Sequence, residues 1–511
     1  MSAQAGIILA IIVYLAVMIA VGVYFSRKSE SSAEGFYLGG RKLGPLVAAM
    51  SAEASDMSSY LLMGLPGLAY LSGIADVGWT VIGLGVGTYL NWLLVAKKLR
   101  RYSASCGAIT IPDFFSKRYR DNKNILACIA AIFILIFFIP YTASGFKAVG
   151  TLFSTLFGVD YHMAMLIGAL IIVGYTALGG FLAVSTTDLI QSIVMTIALI
   201  VIVFFGINTA GGWGAVMENA HAIPGYLKMN QTYDFETGMA KPYTMLTILS
   251  TAAWGLGYFG MPHILLRFMA VRDEKEIKLA RRIASVWVVI SMTVAILIGL
   301  IGCAASAAGA IPSLNNKADA ETVIIQFANL LSKHSFLAAV VAGVVLAGIL
   351  ACTMSTADSQ LLTAASSVSQ NLLQDFLKIK MSEKISMLTA RGTIMLIAVI
   401  GVFLAWAPDS SVFEIVSFAW AGFGAAFGPA MLFSLFWRRT NFPGVLAGMV
   451  SGGVMVFVWH YLVAPLGGIW DIYELLPAFI IGSLVIWVVS LLTPAPSEEI
   501  EKEFDAVKAM K

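Results

Sequence analysis

A chain of 511 residues would make about three domains in water. Here 59% of the residues are apolar and only 12% charged, half the roughly 25% usual for soluble domains. The net charge of +3, from 32 Lys+Arg against 29 Asp+Glu, points to no polyanionic partner, and the composition excludes a soluble enzyme, a nucleic-acid binder and a disordered chain. It describes an integral membrane protein.

The first apolar run, 5–25, has no basic segment before it and reaches the about 20 residues a helical span needs. It is expected to stay as a helix. Further runs follow at 44–72, 75–96, 124–156, 161–185, 188–210, 245–268, 280–309, 335–373, 386–406, 412–436, 443–464 and 472–493. They are rich in Leu, Ile, Val and Ala and show no strand-like alternation, so the expected fold is all-α with thirteen spans. The four cysteines, Cys106, Cys128, Cys303 and Cys352, lack metal-ligand spacing and read as small hydrophobes or free thiols.

With the N-terminus outside and the C-terminus inside, 27 of the 32 basic residues fall in inner loops or the tail, as the positive-inside rule requires. This reckoning counts Arg267 as a loop residue. The outer loop 211–244 contains Pro224, Asn230 and Gly238 and is expected to be irregular. The loop 310–334 offers a short amphipathic helix from Ala320 to Leu331, and Ile111–Tyr119 reads as a helix start at the inner interface. The tail 494–511 is expected to be a short solvated helix. No segment is long enough for a nucleotide-binding or signalling domain.

An ionisable side chain at mid-membrane costs about 2.5–3.5 kcal/mol on insertion scales, so each one requires a reason. In the second span Glu53, Ser55, Asp56, Ser58 and Ser59 crowd one stretch, with Gly64, Pro66 and Gly67 just beyond. A helix unwound here would free carbonyl oxygens suited to a hard cation such as Na⁺. The plainer alternative is that the span starts later and leaves Glu53 and Asp56 at the inner interface. The ninth span holds Ser355, Thr356, Asp358 and Ser359 in little more than a turn. Hydroxyls in membrane helices often only bond back to their own backbone, but an aspartate is not explained that way. Together the two clusters suggest one interhelical cation site. In the seventh span Trp254, Tyr258 and Pro262 lie four apart, one face of an α-helix, among Gly255, Gly257 and Gly260. That face is either a solute pocket or ordinary helix packing. His263 reads as a satisfied polar residue. Asp188 follows Thr186 and Thr187, a pattern that also fits a helix N-cap.

At these residues the chain resembles the sodium:solute symporter family, and within it the bacterial proline-transporting branch. The stretches carrying the resemblance are Gly39–Gly44, Ser55–Ser59 with Leu62–Gly67, Pro140–Ser144, Gly179–Asp188, Trp254–Ala270 and Met354–Leu362, in order along nearly the whole chain. The resemblance implies a leucine-transporter-like fold: two inverted five-helix repeats (44–210 and 245–436), one extra helix before them (5–25) and two after (443–493). The first helix of each repeat would be broken. It implies a sodium site from the carbonyls of Ala54, Met57 and Cys352 and the hydroxyls of Ser355 and Thr356. Asp56, Ser58, Asp188, Asp358 and Ser359 would support coupling, the last two with Asp188 as a second ion site in some relatives. Trp254, Tyr258, Pro262 and Tyr141 would form the solute pocket, and Arg41 a cytoplasmic gating position. Two residues depart from the pattern. Glu53 stands where some relatives have a small residue, and would alter substrate choice or pair with a nearby Lys or Arg; Met261 stands where Gln is expected.

The expected activity is sodium-coupled uptake of L-proline across the cell membrane by alternating access, not enzymatic catalysis. Na⁺ is the coupling ion, the partners are a small solute and membrane lipid, and neither nucleic acid nor an obligatory protein partner is expected. The alternatives are another small solute (pantothenate, another amino acid or a carboxylate), proton coupling through Glu53, Asp56 or Asp358, and a membrane sensor or enzyme.

Overall fold

The computed structural model describes residues 3–28, 32–176, 180–407 and 410–510; Gly179 of the sequence motif lies outside them. Helix makes up 82% of the chain. Helix α1 (Ala3–Lys28) is followed by the short α2 (Ala33–Leu38) and by α3 (Pro45–Ser59) and α4 (Leu65–Ser72), which a wide helical turn over Tyr60–Gly64 joins. Helix α5 (Ile74–Leu90) runs through a second wide turn into α6 (Lys97–Ser105). Then comes α7 (Ile111–Arg118), where the Thr110 hydroxyl caps the helix by accepting from the Asp113 amide at 3.1 Å. Three long helices complete the first half: α8 (Ile125–Phe157), α9 (Tyr161–Thr176) and α10 (Phe181–Thr209).

The outer segment expected to be irregular is ordered. It forms α11 (Trp213–Ala222) and an antiparallel hairpin, β1 (Gln231–Asp234) with β2 (Met239–Pro242), in which Gln231 faces Pro242. Turn residues at Pro224, Asn230 and Gly238 mark its corners. Helix α12 (Met245–Ala252) tightens into a 3₁₀ stretch over Ala253–Phe259 before α13 (Pro262–Ala270). The chain continues through α14 (Ile277–Ala307), α15 (Lys317–Ala320), α16 (Val323–Ser332) and α17 (Phe336–Ser366). It ends with α18 (Glu383–Leu404), α19 (Val412–Phe436), α20 (Phe442–Val458), α21 (Leu475–Leu492) and the tail helix α22 (Glu498–Ala509).

Among the described residues ten helices are long and apolar enough to cross a membrane. They fall in ten of the thirteen predicted intervals. The other three, 44–72, 161–185 and 245–268, hold the shorter α9 and the two interrupted helices. Outward faces carry bare apolar side chains such as Phe204 and Phe403, 73% and 71% exposed, as lipid contact allows. Helices α3 and α17 form the centre, buried without interruption from Ala48 to Ser59 and from Val345 to Ser366. Helix α17 packs against α1, α3, α8 and α10. A Cβ on Gly348 would come within 2.7 Å of the Ala198 Cβ, so the small residue lets α17 and α10 close up.

On the basic-loop side, Leu43 and Val271 form a parallel bridge, with Leu43 N–H donating to Ala270 O at 3.1 Å and Arg272 N–H to Leu43 O at 3.0 Å. The approach to α3 is thereby tied to the exit from α13. The tail helix lies against the same side, burying Ile500, Phe504 and Val507. Arg438 pairs with both Glu501 and Asp505 at 3.1 Å, and Arg120 with Glu503 at 3.1 Å.

Candidate functional site

Both interrupted helices break in the buried centre, for different local reasons. In α3 the break is at Ser58, whose backbone (φ 39°, ψ −170°) lies in a region that side chains other than glycine's rarely adopt. The glycines and proline of the sequence argument lie beyond it: Pro66 starts α4, and a Cβ on Gly67 would meet the Glu321 amide nitrogen at 2.8 Å. In the second case the break is at Gly260–Met261, where Met261 turns extended before Pro262 opens α13.

A helix end leaves its last four carbonyls without helical partners, here those of Ala54 to Met57. The Ser355 hydroxyl on α17 reaches across to Ala54 O at 2.8 Å and back to Cys352 O at 3.2 Å, and Thr356 Oγ1 bonds Cys352 O at 3.1 Å. Four of the five predicted sodium ligands thus meet in one oxygen cluster. The fifth, Met57, offers its carbonyl to the Tyr60 amide at the break. Beside the cluster a cavity of about 10 Å³, bordered by Ser58, Tyr141 and Thr356, has room for about one water and none for a solute.

Asp56 is 6% exposed, which removes the alternative of an interfacial position. Its carboxylate accepts from the Tyr258 hydroxyl at 2.5 Å, and its carbonyl from the Tyr141 hydroxyl at 3.2 Å. Two predicted pocket residues therefore converge on a predicted coupling residue. Trp254 and Pro262 do not join them. Because 253–259 is 3₁₀, four residues no longer complete a turn and the expected single face is split. Trp254 points into an aromatic group with Tyr60, Phe413 and Tyr473, at ring separations of 5.7, 5.1 and 5.2 Å. Pro262 belongs to the following helix. The glycines serve contact: a Cβ on Gly257 would sit 1.8 Å from Trp420 Nε1, and that indole N–H donates to Trp254 O at 2.8 Å.

Asp188 lies inside α10, which starts at Phe181, so the N-cap alternative fails. It accepts from Ser51 Oγ at 2.6 Å and from Arg267 Nη2 at 3.1 Å. The same guanidinium donates from Nη2 to Ser359 Oγ at 2.5 Å, from Nε to Ser51 Oγ at 3.0 Å and from Nη1 to His263 O at 2.8 Å. One buried cation thereby ties α3, α10, α13 and α17 together. Arg267 was counted as a loop charge because it sits near a run of basic residues; its position inside the apolar run Ile264–Ala270 was the available signal. Asp358 is fully buried, and among the described residues neither carboxylate oxygen has another side chain as hydrogen-bond partner. His263 is not satisfied as expected. Among the described residues neither ring nitrogen has a side-chain hydrogen-bond partner, and the ring lies 5.5 Å from that of Phe138.

Glu53 meets no Lys or Arg among the described residues. It accepts from Trp92 Nε1 at 3.0 Å and Thr88 Oγ1 at 3.3 Å on the neighbouring helix. Met261 is fully buried. Arg41 binds the Met269, Ser103 and Ala108 carbonyls at 2.9, 3.1 and 2.6 Å, joining the chain before α3 to the ends of α13 and α6. On the opposite side a groove of about 620 Å³ runs past Asp76, Lys317 and Phe413 toward the Trp254 aromatic group. Its wall is fixed by Glu321, which accepts from Ser411 Oγ, Val412 N–H and Phe413 N–H at 2.8, 3.1 and 3.1 Å. The buried oxygen cluster thus lies between the broken helix α3 and the continuous α17, a donor set suited to a hard cation.

Known proteins agree with that chemistry. The family model described as "Sodium:solute symporter family" matches residues 36–452. Curated sodium/proline symporters of Staphylococcus aureus strains USA300 / TCH1516 and JH9 are each 37% identical over 506 residues, 98% of this chain and 95% of theirs. Among solved structures, a substrate-bound, outward-open Na⁺-coupled sialic acid symporter superposes with TM-score 0.76 at 17% identity, covering 96% of this chain and 99% of that one. A nucleobase-cation-symport-1 family transporter, closed around bromovinylhydantoin, gives 0.54 at 15% identity, covering 92% and 98%. These neighbours have the leucine-transporter-like fold. A multi-pass membrane transporter and not an enzyme, the chain belongs to the sodium:solute symporter family.

Proposed function

We propose that the chain takes up L-proline with Na⁺ by alternating access, through thirteen spans arranged as two inverted five-helix repeats with the N-terminus outside. The observation that carries this reading is the Ser355 hydroxyl on the Ala54 carbonyl at the break of α3. It supports a site in which oxygens of two non-adjacent helices hold one monovalent ion. Na⁺ entering from outside replaces the hydroxyl bonds of Ser355 and Thr356 to the Ala54 and Cys352 carbonyls, takes the Met57 carbonyl from the Tyr60 amide and holds α3 against α17. Asp56 lies one turn away with Ser58, and through Tyr258 it relays the ion's presence to the solute pocket. There Tyr141 and Tyr258 part to admit the solute, with Trp254 and Pro262 as the neighbouring wall.

Proline suits such a pocket. Its ring lies against aromatic faces and its carboxylate seeks the positive ends of the broken helices; the proline named for the relatives at 37% identity supports this choice. Solute affinity rises on sodium binding by the coupling free energy, and sodium affinity rises equally on solute binding. The membrane potential contributes about 2.3 kcal/mol per charge per 100 mV. Asp188, Asp358 and Ser359 form the second polar group, in which the Arg267 guanidinium already lies between Asp188 and Ser359. Arg41 closes the cytoplasmic end.

Uptake of labelled proline into proteoliposomes, with and without an inward Na⁺ gradient and against competing amino acids, pantothenate and carboxylates, tests the reading. Sodium-driven proline uptake that Ser355→Ala abolishes is expected. Uptake indifferent to Na⁺, or stronger competition by another solute class, overturns it.

A further inference from the structure

Helices α10 and α14 do not close on each other along their whole length. Between them lies a groove of about 550 Å³ with almost entirely apolar walls, reaching in to Met50 of α3. Ile200 and Ile290 on its rims are 50% and 58% exposed, so it opens sideways, toward the hydrocarbon of a bilayer. Trp287 stands in its wall, fixed by an indole N–H donated to Thr196 Oγ1 at 3.0 Å.

The charge at one end says what fills it. Arg282 lines the groove, and Lys278 lies one turn before it on α14, on the same face. Both are exposed, and neither makes an ion pair among the described residues. The nearest acid in sequence, Glu276, is held by Arg272 at 2.6 Å. Two unneutralised cations at the membrane surface above an acyl-width apolar channel match a phosphate headgroup with a hydrocarbon tail. Basic pockets between membrane helices on the cytoplasmic side recognise anionic lipids by this combination.

We propose that this groove binds an anionic glycerophospholipid, with an acyl chain between α10 and α14 and the phosphate on Lys278 and Arg282. The chain's end would touch Met50, next to Ser51, which bonds both Asp188 and Arg267. A lipid there contacts the broken helix α3 directly.

The test uses the full chain in phosphatidylcholine vesicles doped with brominated-acyl phosphatidylglycerol or, in a parallel set, brominated phosphatidylcholine, reading tryptophan quenching. Stronger quenching by the phosphatidylglycerol is expected, with the excess removed in Trp287→Phe. Lys278→Gln with Arg282→Gln should reduce the preference about 25-fold, from about fivefold for each basic residue near the membrane surface. Equal quenching by the two lipids, an excess that survives the double substitution, or a dimer that covers this face overturns the proposal. Both substituted side chains are exposed, and retained elution volume and thermal midpoint show that the fold is intact.

Discussion

The Arg267–Asp188 pair is fully inside the protein, with side chains 1% and 0% exposed. Replacing Arg267 by Met leaves the Asp188 carboxylate with Ser51 alone, since its Oδ1 has no hydrogen-bond partner even now. Replacing Asp188 by Asn strands the guanidinium among two hydroxyls and a carbonyl. Breaking a buried pair from one side costs about 3–5 kcal/mol, whereas removing both charges is often near neutral. Each single substitution should therefore destabilise by about that amount and the double substitution by much less, a coupling energy of about 3 kcal/mol or more. The assay is a double-mutant cycle on the midpoint of detergent-titrated unfolding, followed by tryptophan fluorescence. Additive effects, with coupling below about 0.5 kcal/mol, would refute the view that one ion pair ties the four helices.

At the α3 break, Ser58→Gly should relieve a conformation costing about 1–3 kcal/mol and raise the thermal midpoint, while Ser58→Ala should not. Loss of the Tyr258 hydroxyl in Tyr258→Phe should weaken half-saturation by solute by about tenfold or more, the worth of a hydrogen bond to a charged group, and Asp56→Asn should act mainly on half-saturation by sodium; uptake kinetics separate the two. Glu53→Leu strands the Trp92 indole N–H at a cost of about 1–3 kcal/mol, and Glu53→Gln should restore most of it in the same unfolding assay. Gly257→Ala should abolish folded expression in fluorescence-detected gel filtration, because its Cβ would fall 1.8 Å from the Trp420 ring nitrogen.

Much of this was legible in the residues, because membrane burial makes polar side chains conspicuous. Glu53, Asp56 and Asp358 stood out from apolar runs, and the structure buries all three. The oxygen cluster was legible only through resemblance, since no spacing rule brings Ala54 beside Ser355, 301 residues away. One local inference failed for a physical reason. The helical wheel through Trp254 assumes an α-helix; the 3₁₀ winding over Ala253–Phe259 separates Trp254 from Tyr258, and the break at Gly260–Met261 puts Pro262 in another helix. The break in α3 falls at Ser58, inside the polar stretch where unwinding is expected, although the glycines and proline that make the helix easy to break lie beyond it. Arg267 escaped notice because a charge counted for orientation was not also weighed as an interior residue.

The bridge between Leu43 and Val271 carries a mechanical consequence. Two backbone hydrogen bonds fasten the base of one interrupted helix to the base of the other. The strained serine at position 58 and the glycine at 260 mark the other ends of the two segments so joined. Moving one half without the other would break both bonds, at about 0.5–1.5 kcal/mol each, so the bridge biases the two bases toward moving together.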